Sequence, residues 1–462
     1  MKWFSCSFWV HSTKSIGLWL NVGMIATFIP EATGILPRLV SLSGIGVMIF
    51  IAWVLSTSRS EIRWRPVLWG VALQLLFGVI VLSPELQGLF FGVVDEGVRK
   101  LLSFSEEGAD FVFQSLEPHQ IVTAGGESET FVGRISPPAK TFAFWVLPTI
   151  IFFSSLMAIL YHLGVMQVLI KKIAWVMQKT MGTSGAESLS AAGNIFVGQT
   201  EAPLLVAPFI QKMTKSELHA VMCCGFATVA GGVMAAYVGF LKDIPGIAGH
   251  LVTASIMSAP AALAISKVMV PETGEPATSG TLTFTVAKPD RNVLEAAARG
   301  ATEGVKLAIN VAAMLIAFIG LIAMGDWILG FISIGGNPLS LSMIFGWLFA
   351  PIAFAMGVPW SECMVVGELL GEKMVLTEFI AYIHLGALVA AENPVISERS
   401  AIIASYALCG FANFASIGIQ LGGIGGIAPD RMGDLADLAV RAMIGGSLAA
   451  FMTGTVAGVL IG

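Results

Sequence analysis

Ten stretches of this chain are predominantly apolar, and they fall into two kinds. Eight run with few interruptions: 39–55, 65–82, 141–160, 219–241, 245–268, 305–330, 400–422 and 440–461. Crossing a bilayer core takes roughly 20 apolar residues in a helix, so each of these predicts a spanning helix. Two others, 181–216 and 359–399, are apolar but cut by glycines and polar residues. Non-helical backbone survives at membrane depth only where protein or a water-filled cavity covers it. These two therefore predict re-entrant helical hairpins. The expected fold class is an all-α polytopic membrane protein, with eight transmembrane helices and two re-entrant helical hairpins.

Charge orients that outline. Arg59, Arg63 and Arg65 follow the first apolar stretch, Lys171, Lys172 and Lys179 follow the third, and Lys212 and Lys215 precede the fourth. Placing them together in the cytoplasm satisfies the positive-inside rule. Segment 83–140, rich in Asp and Glu, then falls outside. With Lys179 and Lys212 on one side, the first hairpin enters and leaves from the cytoplasm. The second enters from the opposite face, as in an inverted repeat. Residues 94–113 and 288–308 carry amphipathic patterns. In 292–306 the pattern predicts an interfacial helix leading into the sixth span.

Composition supports the same class. Of 462 residues, 56% are hydrophobic and 12% charged, about half the charged share of a soluble domain. The 51 glycines and 20 prolines predict broken or closely packed helices. A net charge of −5 offers no nucleic-acid footprint. The cysteines Cys6, Cys223, Cys224, Cys363 and Cys409 lack CxxC spacing, and all but Cys6 read as small core residues. Residues 1–38 stay unassigned: 15–29 has the length of a signal-peptide core but no convincing cleavage site, and fits an extra interfacial helix equally well.

Candidate chemistry concentrates in the hairpins and in a repeat. The densest polar run inside apolar sequence is 193–203, GNIFVGQTEAP. Its glycines permit a non-helical tip, and Pro203 suits the first turn of a returning helix. Such a tip frees carbonyls for a hard cation and leaves Gln199, Thr200 and Glu201 for a polar solute. Asn and Gln that only glue helices together are the plainer alternative. In the second hairpin Glu378 is an ionisable group at membrane depth, by default a functional candidate; Glu392 is a weaker one. The tetrapeptide Cys-Gly-Phe-Ala occurs at 224–227 and again at 409–412, each downstream of a Thr-Glu pair. After the first copy come Thr228 and paired glycines, suited to a cation. After the second come Asn413 and Ser416, three apart and so on one helix face, suited to hydroxyls. Tight packing of small residues is the alternative for both. No Walker loop, aspartate-rich motif or HExxH is present, the six histidines are scattered, and the chain is not expected to be an enzyme.

These motifs resemble the concentrative nucleoside transporter family. The resemblance rests on 193–203, on 144–167 (FWVLPTIIFFSSLMAILYHLGVMQ) and on 405–425 (SYALCGFANFASIGIQLGGIG), and covers about 39–462. It implies a sodium-coupled nucleoside symporter, assembled as a homotrimer in a lipid bilayer: a multi-pass plasma-membrane protein, in a bacterium of the inner membrane. It implies a scaffold, mainly 39–178 and 269–358, and two transport repeats at 179–268 and 359–462. By matching positions, Gln199 and Thr200 would contact the nucleobase, with Val233 nearby. Glu201 and Glu378 would contact the ribose with Asn413 and Ser416, and Phe411 would close over the solute. Sodium would be held by Asn194, by the carbonyls of Val197 and Val229, and by Thr228.

Other readings stay open at this level. A two-hairpin transporter of another small polar solute shares the architecture, although a site for an anion should offer arginine, and only Arg399 lies near these carboxylates in sequence. A proton-coupled nucleoside transporter, a lipid-active membrane enzyme and a channel are the remaining classes.

Overall fold

The computed structural model describes residues 34–82, 84–114, 119–122, 128–131, 141–278, 290–391 and 393–461. Residues 1–33 of the unassigned extension, with Cys6 and His11, lie outside these, as do Glu392 and most of 115–140. The chain is mainly helical, with two short antiparallel strand pairs, β1 (His119–Val122) with β2 (Ser128–Phe131) and β3 (Ser333–Ile334) with β4 (Asn337–Pro338).

The first part holds α1 (Ile35–Val54), α2 (Trp64–Leu82), the 30-residue α3 (Pro84–Phe113), α4 (Leu147–His162) and the amphipathic α5 (Val165–Met181). Gly164 and Gly182, both left-handed (φ 85° and 73°), bracket α5. The first hairpin follows: α6 (Gly185–Asn194), a non-helical tip, a 3-10 turn at Ala202–Val206 and the single turn α7 (Ala207–Ile210). Then come α8 (Lys215–Ala227), α9 (Gly231–Phe240) and α10 (Ile247–Met269). After α11 (Val293–Leu329) and α12 (Leu341–Ala355), the second hairpin consists of α13 (Cys363–Val375) and α14 (Glu378–Val389). It leads to α15 (Glu398–Leu408), α16 (Phe414–Ile427) and α17 (Met432–Leu460).

Local chemistry explains several of these boundaries. Capping boxes start α6 (Ser184 with Glu187) and α8 (Thr214 with Glu217), each satisfying two orphan backbone donors. Asn292, Ser340 and Asn413 cap α11, α12 and α16 with side-chain oxygens.

Three expectations are corrected. The apolar stretch 219–241 is not one helix: it divides between α8 and α9, with Thr228 and Ala230 extended. The stretch 400–422 divides in the same way between α15 and α16. Apolar side chains stay apolar through a break in the backbone ladder, so hydropathy does not register it. Third, the interfacial helix expected over 292–306 is the opening of one continuous 37-residue helix, α11. Among the described residues seven helical segments are long and apolar enough to cross a membrane, one of them the broken pair α8–α9 taken together as Lys215–Phe240. The eighth expected span is the one now cut into helices of 11 and 14 residues.

The two breaks meet at the centre. A Cβ at Gly410 (φ 132°) would stand 2.7 Å from the Phe226 carbonyl oxygen and 2.8 Å from that of Ala227. Only glycine accepts both that backbone and that approach. The repeated tetrapeptides thus pack against each other, second copy over first. Around them α8, α10, α15 and α17 form the buried interior. At the base of the first hairpin Lys267 pairs with Glu187 at 2.6 Å and Glu272 at 3.6 Å, and donates to Ser216 at 2.9 Å. Ser184 donates to Glu217 at 2.7 Å, closing the same network. α11 packs along α4 but turns most of its length outward.

Candidate functional site

The first hairpin tip folds against the α8–α9 break. Gly231 N–H donates to the Phe196 carbonyl at 3.0 Å, and Ser255 of α10 donates to the Ile195 carbonyl at 3.0 Å. Asn194, the last residue of α6, is fully buried. Its amide Nδ2 donates to the Ser190 carbonyl at 3.0 Å, while its Oδ1 has no protein donor. Thr228, buried and extended, donates its hydroxyl to the Cys224 carbonyl at 2.9 Å. Val229 is buried beside it, and Val197 is half-buried in the tip. The oxygens on offer are amide, hydroxyl and carbonyl, the hard neutral donors that suit an alkali cation, and the undonated Asn194 Oδ1 fits that use. Among the described residues no group of three or more His, Cys, Asp or Glu is placed to hold a metal ion.

A second cluster begins at Glu378, the first residue of α14, which is 2% exposed. Tyr237 donates its hydroxyl to Oε1 at 2.8 Å, and Asn413 donates Nδ2 to Oε2 at 2.9 Å. Asn413 Oδ1 accepts the Ser416 N–H at 2.8 Å, which is its capping bond for α16. Ser416 Oγ then accepts from Gln199 Nε2 at 3.1 Å, and Gln199 Oε1 accepts from Gln420 Nε2 at 3.1 Å. Gln420 Nε2 also reaches the Met222 carbonyl at 3.1 Å. One unbroken path therefore joins α9, the second hairpin, α16 and the tip of the first hairpin. Gly225 makes room for it: a Cβ there would lie 2.8 Å from Gln420 Nε2 and 3.1 Å from the Gln199 Cβ.

Of the residues expected for the solute, the structure joins Glu378, Asn413, Ser416 and Gln199 directly. Val233 is buried on α9, one turn before Tyr237 and on the same face. Thr200 packs its methyl toward Gly423 of α16, where a Cβ would meet it at 3.2 Å. Phe411 lies half-buried between the broken helices. Glu201 stands apart: it is exposed, and its carboxylate folds over Gly198 of its own tip rather than joining the Glu378 path. Arg399 is also elsewhere. It donates to the Gly458 carbonyl at 2.7 Å and to the Ile461 carbonyl, tying α15 to α17.

Three participants escaped sequence reasoning. Tyr237 could have been found from its four-residue spacing to Val233, and Gln420 from the same spacing to Ser416. Lys373, wholly buried in the last turn of α13, stands in the sequence only as the nearest base to Glu378. Aromatic rings wall the Glu378 side: Tyr237 stacks on Tyr382 at 4.3 Å between centroids and meets Phe379 edge-on at 5.0 Å.

Comparison with known proteins covers nearly the whole chain. Three family models match: Na+ dependent nucleoside transporter N-terminus at residues 43–116, Nucleoside recognition at 143–243, and Na+ dependent nucleoside transporter C-terminus at 250–458. Solute carrier family 28 member 3 of Mus musculus is 41% identical, over 99% of this chain and 63% of its own length. Sodium/nucleoside cotransporter 1 of Rattus norvegicus is 41% identical, over 99% of this chain and 69% of its own length. The chain spans about three fifths of the length of the first curated relatives it matches. Among solved structures, CNTnw in an inward-facing substrate-bound state aligns with TM-score 0.80 at 42% identity, over 92% of this chain and 98% of that one.

Proposed function

The chain belongs to the concentrative nucleoside transporter family, and from that premise we propose that it is a sodium-coupled symporter that concentrates nucleosides in the cell by alternating access. It is a multi-pass protein of the plasma membrane. The observation that carries the reading is the continuous path from Glu378 through Asn413 and Ser416 to Gln199.

The chemistry suits a ribose. An ionised carboxylate has about four acceptor positions, and Tyr237 and Asn413 use two of those on Glu378. The remaining two match a vicinal diol, and hydrogen bonds to a charged acceptor are the strong ones. Asn413 and Ser416 supply further polar atoms for the sugar, and Glu201 would reach it by swinging off Gly198. Gln199 and Thr200 would face the nucleobase with Val233, and Phe411 would cover the bound solute.

Sodium would bind at Asn194, Thr228 and the carbonyls of Val197 and Val229. Two of the ion ligands, Asn194 and Val197, lie within five residues of Gln199 at the first hairpin tip, so an ion that orders the tip also pre-organises the solute site. Linkage makes the effect mutual: bound nucleoside then tightens sodium by the same factor. The two hairpin-bearing halves, 179–268 and 359–462, would move as the transport part against a scaffold of the remaining helices, with eight spans and two oppositely entering hairpins. The outward apolar face of α11 supports contact with lipid or with sister copies in a homotrimer.

Uptake of radiolabelled uridine and adenosine into proteoliposomes, with and without an inward sodium gradient, tests the proposal. Accumulation that follows the sodium gradient is expected. No uptake of either nucleoside removes the function, and uptake driven by protons alone removes the ion assignment.

A further inference from the structure

The two hairpins end their first helices differently. α6 closes on Asn194, a buried acceptor with no protein donor. α13 instead carries Lys373 in its last turn, fully buried, with Nζ donating to the Ala407 carbonyl at 2.8 Å. The same ammonium lies 5.7 Å from the centroid of the Phe451 ring. Ala407 belongs to the last turn of α15, immediately before the break at 409–413. Carbonyls at a helix C-terminus lack intrahelical partners and carry the negative end of the dipole. Its neighbours are served by neutral donors: Ser405 by the Tyr382 hydroxyl at 2.8 Å, and Tyr406 by the Cys409 N–H at 3.1 Å. Ala407 alone receives a charge. Lys373 and Glu378 stand five residues apart across the hairpin tip, and Asn413, at the far end of the break that Ala407 precedes, donates to Glu378 at 2.9 Å.

We propose that Lys373 is the resident cation of the second half, a positioning residue that balances Glu378 and secures the α15–α16 break, so that only the first half takes its cation from solution. The inference rests on the reading of Glu378 as the ribose acceptor. A lone buried carboxylate is strongly disfavoured in its charged form, and a charge-assisted acceptor is what the diol needs. Lys373 favours the charged form of Glu378 with a cation that belongs to the chain, rather than one that arrives from solution. In the first half the tip's carboxylate, Glu201, has Phe196 rather than a base five residues before it, and the helix end offers the neutral Asn194 oxygen, so the cation there must arrive with the cycle.

The full chain is compared as wild type, Lys373→Gln, Lys373→Arg and Lys373→Gln combined with Glu378→Gln. In proteoliposomes Lys373→Gln should raise the uridine KM about tenfold or more, the scale of one lost charged interaction. Its preference for uridine over 2′,3′-dideoxyuridine should narrow by a similar factor. Sodium-induced thermal stabilisation without nucleoside should keep its wild-type midpoint, and Lys373→Arg should recover most of the KM. A wild-type KM in Lys373→Gln overturns the proposal, as does a sodium midpoint that shifts as far as the KM. If Lys373→Gln does not fold, the doubly substituted chain, with both charges gone, should return as a monodisperse protein; failure of both overturns it. A wild-type chain without uptake would remove the transport reading instead. The thermal-stability cycle between Lys373 and Glu378 then decides the charge pairing, and additive effects overturn it.

Discussion

Two long apolar helices adjacent in the chain, α10 and α11, have opposite environments. In their most apolar windows α10 is 89% buried and α11 is 11% buried. The buried one is the less hydrophobic. It is built of alanine, serine and threonine with an internal Pro260, and carries His250 and Lys267. The exposed one presents Ile309, Ile316, Ile319, Trp327 and Ile328. Inside a membrane, lipid tails are as apolar as leucine, so hydrophobicity does not drive helices together. Small side chains let backbones approach, and buried polar groups then find partners. Large aliphatics remain for the surface that meets lipid or another copy. Residue size and polarity, more than apolar content, therefore sort interior from periphery.

Four substitutions probe that contrast. Lys267→Met on α10 leaves Glu187 and Glu272 buried without their counter-charge. Breaking such a pair costs about 3–5 kcal/mol, so folded yield and detergent Tm should fall steeply; an unchanged Tm would mean the network is idle. Glu378→Gln keeps the shape but removes the charged acceptor, worth ~1.5–3 kcal/mol per hydrogen bond. Nucleoside uptake should be lost while expression persists, and unchanged uptake would remove Glu378 from the site. Gly446→Ala on α17 forces a methyl into the Phe226 side chain and its backbone, and overpacking of this kind costs about 1–3 kcal/mol. The same change at Gly320 of α11 meets nothing within 4 Å. There Tm should hold or rise, since Ala is up to ~1 kcal/mol the better helix former. Equal Tm shifts for the two glycines would erase the distinction between interior and periphery.

Much of this organisation was legible in the residues. The stretches 65–82, 141–160 and 245–268 reappear as single helices within a few residues, because long apolar runs bounded by charge or glycine have few alternatives. The hairpin tips were legible for the opposite reason: Asn194, Gln199 and Glu378 are polar where the pattern demands apolar groups. The breaks after Ala227 and Leu408 left no such mark. Tyr237 and Lys373 were missed because their partners are far off in sequence: Tyr237 pairs with Glu378 141 residues away, and Lys373 with Ala407 34 away. α12, only 15 residues long, merges with its apolar surroundings. The placement of the Glu201 carboxylate over Gly198 of its own tip is a side-chain choice to which residue type gives no clue.

The contact of Gln199 with Ser416 and Gln420 has a consequence for selectivity. Both ends of the Gln199 amide are engaged across the two halves, its Nε2 with Ser416 and its Oε1 with Gln420. A nucleobase that engages Gln199 must therefore exchange partners rather than simply gain them. A solute with a matching donor and acceptor trades bond for bond at little net cost. One that lacks either leaves an amide stranded in a buried site, at about 1–3 kcal/mol. Discrimination then comes chiefly from what an ill-matched guest fails to give back.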